Sequence, residues 1–152
     1  MTTTTTSSQD AVALIGRVLI AYLFVPSGLS KLIGFAGTVG YIASQGVPMP
    51  EVAAAIAVAA ELGLGLLVLL GWQARWAALG LALFVAAITP IFHGFWAVPE
   101  AQRMMQKIQF DKNLAIVGAL LLLTAFGAGR WSFDGARSNR NSHGRSGATR
   151  GA

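Results

Sequence analysis

The sequence contains no cysteine. That excludes disulfides, Cys-ligated zinc, iron–sulfur clusters and thiol redox chemistry carried by the chain itself. Histidine is nearly as scarce: only His93 and His143 are present, and His143 lies in a polar tail. One histidine within an apolar region argues against a bis-His haem held by a single chain. The first ten residues, MTTTTTSSQD, hold neither Lys nor Arg, so the basic start of a signal peptide is missing. Charge is the largest shortage. Asp, Glu, Lys and Arg make up 11% of the chain, where a soluble domain carries roughly 25%.

Apolar residues take that place. They form 55% of the sequence, and the mean hydropathy is +0.62. At ~20 residues per membrane span, the 152-residue chain has room for about four spans with short connections. The expected fold is all-α: one integral membrane four-helix bundle with a short amphipathic helix between spans 3 and 4. Residues 1–10 read as a disordered N-terminal tail and 11–134 as the membrane domain. Residues 135–152 read as a disordered basic C-terminal tail.

The spans are predicted at about 11–33, 52–72, 76–93 and 113–128. Asp10 is placed to cap the first helix. Pro26 removes one backbone hydrogen bond inside it and predicts a kink. Pro48, Met49 and Pro50 favour a turn before the second span. Between spans 3 and 4, Ala101, Met104, Met105 and Ile108 share one helical face, and Arg103 and Lys107 share another. That pattern suits a helix lying on the membrane surface; a loop helix packed on the bundle is the alternative.

The net charge of +5 does not point to nucleic acid. Four of the eleven basic residues (Arg137, Arg140, Arg145, Arg150) fall in the C-terminal tail, which lacks the aromatics of a single-strand binder. Such a tail meets anionic lipid or stays on the cytoplasmic side. With Arg75, Arg130 and the tail on one side, and Lys31, Arg103, Lys107 and Lys112 on the other, the expected orientation is N-in, C-in.

Glu61 interrupts the apolar run VAAAIAVAAELGLGLLVLLGW, residues 52–72. A carboxylate at bilayer depth is costly and calls for a partner. Arg17 lies about 7–8 Å from the centre of the first span, and Lys31 about 13 Å beyond that centre on the other side. On this arithmetic Arg17 is the better partner. Arg17, Ala21, Phe24, Gly28 and Lys31 share one face of the first helix. His93 and Asn113 reach a depth similar to Lys31. The candidate polar site is therefore Arg17, Glu61, Lys31, His93 and Asn113. Each has a plainer reading. Arg17 can snorkel to the interface and Lys31 can anchor there. His93 can end a helix, Asn113 can be an N-cap, and a Glu61–Arg17 bridge can serve only to fix helix register. No metal site is expected.

GRVLIAYLFVPSGLSKL (16–32) resembles the opening motif of the DoxX-like family of small four-helix membrane proteins. AAELGLGLLVLLGWQAR (59–75) is similar to its next motif, and HGF (93–95) with FDKNLAIVGALLLLTAFGAGRWSFD (110–134) to the closing ones. The resemblance implies a multi-pass bacterial inner-membrane protein and links it to quinol oxidase subunits and to oxidoreductases. Three functions stay open. The first is an accessory or quinol-binding membrane subunit of a redox system, with quinone or quinol as ligand and redox-enzyme subunits as partners. The chain holds no self-contained redox centre, so it would be at most a component of a quinol-linked oxidoreductase. The second is a small-solute or proton transport or binding protein, for which four helices imply a homo-oligomer. The third is a membrane scaffold for soluble enzymes. The lipid bilayer is the expected surrounding for all three.

Overall fold

In the computed structural model the described residues are 7–148, with side chains described over 7–140. The expectations of disorder for 1–6 and 149–152 lie outside them. Helix α1 is Ser7–Ile33, α2 is Phe35–Ser44 and α4 is Ala74–Phe92. Helix α3 is Pro50–Leu70, α5 is Glu100–Phe126 and α6 is Phe133–Ala148. No strand occurs among the described residues. Four helices, α1, α3, α4 and α5, are long and apolar enough to cross a membrane.

Several expectations change here. Residues 7–10 and 135–148 are helical where disorder is predicted. Asp10 lies inside α1 and does not cap it; its buried carboxylate accepts the N–H of Arg130 at 2.8 Å. The amphipathic segment is helical but not a separate helix. It forms the first turns of α5 without a break, because residues 100–126 contain no proline or glycine before Gly118 to interrupt them.

Local chemistry sets the boundaries. Pro50 starts α3, where a missing N–H costs nothing. Gly71, at φ 66, ends it: Gly71 N–H donates to Val68 O at 3.1 Å and Trp72 N–H to Leu67 O at 3.0 Å, a Schellman-type stop. The first N–H groups of α4 are satisfied from far along the chain. Gln73 and Ala74 N–H donate to the two carboxylate oxygens of Asp134, each at 2.9 Å.

Helices α1 and α3 run antiparallel and touch closely. A Cβ on Gly28 would sit 2.6 Å from Leu62 N, and one on Gly65 would sit 3.2 Å from Phe24 Cβ. Small residues at such crossings let membrane helices gain packing that lipid cannot supply. The core lies on the side of this crossing toward the start of α1 and the end of α3. Val68, Leu81 and Leu120 are fully buried there, with Phe24 and Val85 above them. The Asp10–Arg130 bond puts the start of α1 and the segment before α6 at one face of the bundle, the terminal face; the α2 end is the loop face.

Candidate functional site

The π-helical turn Ala59–Leu64 inside α3 carries Glu61. Such turns widen a helix by one residue and are common at functional positions. Here the widened turn lies against Gly28, and Glu61 is buried at 6% exposure. Its Oε2 accepts a hydrogen bond from Lys31 Nζ at 2.7 Å. The same ammonium donates to Ser27 Oγ at 2.7 Å, one helical turn back. Among the described residues Glu61 Oε1 accepts no hydrogen bond.

The pairing of Glu61 with Arg17 is overturned. Gly28 stands level with Leu62, so the antiparallel register brings Arg17 beside Leu69 and Gly71. Gly71 is ten residues from Glu61, roughly 15 Å along the helix. The two helix centres are not level, because the close approach of Gly28 to Leu62 sets the register. Lys31 lies three residues beyond Gly28 and reaches back to the carboxylate. It is therefore an ion-pair partner and not a simple interfacial anchor.

Arg17 does not snorkel to water either: it is 1% exposed. Its Nη1 donates to Leu69 O at 3.0 Å and its Nη2 to Trp131 O at 2.5 Å. Leu69 O is one of the carbonyls left open at the end of α3, where a cation suits the helix dipole. Arg17 thus ties α1, the end of α3 and the segment before α6 together. This is a structural clamp at the terminal face, away from the other candidates.

Those other four come together. Lys31, Glu61, His93 and Asn113 all line one cavity of about 600 Å³ between α1, α2 and α3 on one side and α4 and α5 on the other. The volume suits a small organic ligand. Most of its wall is apolar, with Phe24 and Val85 shared with the core below. His93 ends α4, as its plainer reading has it, and also lines the cavity. Its Nδ1 pairs with Gln106 Oε1 at 2.9 Å, and an Nδ1–H tautomer leaves Nε2 as an acceptor. Asn113 is not an N-cap, since it lies well inside α5. Its Nδ2 donates to Thr89 Oγ1 at 3.0 Å, and Thr89 donates to Val85 O at 2.6 Å.

Sequence reasoning missed Ser27, Thr89 and Gln106 as partners. The one signal was spacing: Ser27 is one helical turn before Lys31. Nothing local marks Thr89 or Gln106, whose roles come from the packing of α4 on α5. The ring stack of Tyr41 on Phe92, with centroids 5.6 Å apart, also lines the cavity and was not foreseen.

The DoxX family profile matches residues 12–94. The chain is 36% identical over 128 residues to inner membrane protein YphA of Escherichia coli (strain K12), which covers 84% of this chain and 91% of that protein. It is 35% identical over 129 residues to inner membrane protein YqjF of the same organism, covering 83% and 92%. A stretch of 65 residues is 32% identical to ER-derived vesicles protein ERV29 of Saccharomyces cerevisiae (strain ATCC 204508 / S288c), covering 43% of this chain and 21% of that protein. No solved structure matches the chain at a significant level.

Proposed function

The chain belongs to the DoxX family, and we propose that it is a quinol-binding membrane subunit of a redox system. The observation that supports this is the Lys31–Glu61 pair at 2.7 Å in the wall of a largely apolar cavity of about 600 Å³. A ligand with an apolar ring and polar oxygens fits such a wall. The free Glu61 Oε1 can accept a hydrogen bond from a quinol hydroxyl. The ammonium of Lys31 can donate to a quinone carbonyl. The pair therefore offers a partner to either redox form. His93 Nε2 and Asn113 Oδ1 offer further acceptors on the opposite wall.

A quinol gives up two protons with its two electrons: one passes to Glu61, whose carboxylate Lys31 stabilises before it arrives, and the other to His93 Nε2 across the cavity. The electrons pass to an acceptor in a partner subunit, since the chain has no cysteine and supplies no cluster or bis-His site of its own. The location is the bacterial inner membrane, as the names of the two full-length relatives suggest. Asp10 and Arg130 share one face; the basic residues at and beyond Arg130 support reading that face as the cytoplasmic one.

The ion pair could instead serve only to lock α1 to α3. Its position on a cavity wall favours the ligand reading, because a pure tie needs no adjoining space. Transport across the membrane is less well supported. Between the cavity and the terminal face stand Val68, Leu81 and Leu120, all fully buried and apolar. Titration of the purified protein with quinone, comparing wild type with Glu61→Gln and Lys31→Met, tests the proposal: weaker binding in both variants supports it, and unchanged binding refutes it.

A further inference from the structure

We infer that the cavity is loaded sideways from the bilayer, and that its ligand keeps a hydrocarbon tail in the lipid while its head meets Lys31 and Glu61. This rests on the quinol reading of the same site and adds a substrate class: a membrane-dissolved, tailed quinone or quinol, not a water-soluble one.

Exposure of the walls carries the inference. Leu23, Ile56 and Ile91 line the cavity, yet they are 46%, 57% and 49% exposed. Leu23 is ten residues before the end of α1 at Ile33, roughly 15 Å inside the span. Ile56 is six residues inside the start of α3 at Pro50, roughly 9 Å deep. An apolar side chain exposed at those depths meets hydrocarbon and not water. The buried carboxylate of Glu61 and these lipid-facing residues thus border one continuous space.

The helix packing explains the opening. Before Ala59, α3 packs chiefly on α1 and α2; from the π-helical turn onward it packs on α4 as well. The walls therefore part in the half of the bundle that holds the cavity. At the loop end, Tyr41 of α2 stacks on Phe92, the last residue of α4, and bridges the two walls on the side toward water. A water-soluble ligand would have to pass this bridge. A tailed one needs only to slide between helices, and its tail loses no lipid contact on binding.

The test uses the full chain in lipid nanodiscs with two probes: the ubiquinone head group without a tail, and the same head on a decyl tail ending in a diazirine. After irradiation the tailed probe should label residues near Leu23 or Ile56. Leu23→Trp or Ile56→Trp should cut that labelling by about fivefold or more, while binding of the tail-less head stays within about twofold. Ile56 is the more exposed of the two, so Ile56→Trp serves if Leu23→Trp does not fold. Labelling at Thr38 or Lys112 instead, indifferent to the tryptophans and with the tail-less head still bound, overturns sideways loading and leaves the quinol reading standing. Binding of neither head to wild type overturns both.

Discussion

Lys31 and Glu61 meet at 2.7 Å because Gly28, one turn before the lysine, lets α3 approach without a side chain between the helices. Leu62 N would lie 2.6 Å from a Cβ at that position, so backbone meets backbone. The residue that positions the ion pair is thus one with no chemistry of its own. It acts by setting the register in which a cation from α1 reaches the carboxylate on the π-helical turn.

Gly28→Ala should therefore separate the helices and weaken the pair. The neighbour is backbone and cannot rotate away, so a loss of about 1–3 kcal/mol is expected. Gly65→Ala, where the Cβ would meet Phe24 Cβ at 3.2 Å, should cost less. Thermal unfolding in one detergent compares them; equal melting points for Gly28→Ala and wild type would contradict the tight crossing.

Arg17 should matter for stability and not for ligand. Arg17→Met leaves Leu69 O and Trp131 O without their donor, at about 1.5–3 kcal/mol for each charged hydrogen bond. Arg17→Lys should recover part of the loss, since an ammonium cannot reproduce the planar fork that serves two carbonyls. Melting temperature gives the first readout and quinone affinity of the folded fraction the second. A variant that melts like wild type but binds quinone poorly would return Arg17 to the ligand site.

Asp134→Ala should loosen the terminal face. Its carboxylate caps α4 through Gln73 and Ala74 N–H, a role worth about 0.5–2 kcal/mol. The segment from Arg130 onward should become more sensitive to limited proteolysis, while the cavity residues keep their protection in hydrogen exchange. Unchanged cleavage would show that the segment is held by other contacts.

The spans were legible because apolar runs and their turn residues are local signals. Glu61 was legible as a buried group in need of a partner, because a lone carboxylate in such a run is costly. Its partner was not. Choosing between Arg17 and Lys31 needed the helix register, and the register depends on which small residues touch. Gly28 and Gly65 are visible in the sequence, but their meeting with Leu62 and Phe24 is a fact of packing. Asp10 misled for a related reason: it looks like a local cap, yet it accepts the N–H of Arg130 far along the chain, just as Asp134 accepts those of Gln73 and Ala74. His93 and Asn113 were found from depth alone, and the partners that hold them, Gln106 and Thr89, belong to helices that meet only in the fold.

The most direct measurement is quinone affinity of the purified chain with the ion pair intact and removed. The double variant Lys31→Met with Glu61→Leu takes away both charges together, so neither is left buried without its partner, and it should remain folded. The predicted result is a melting point near that of wild type with an affinity at least about tenfold weaker, or ~1.4 kcal/mol. A folded double variant that binds quinone as tightly as wild type would contradict a ligand role for Lys31 and Glu61.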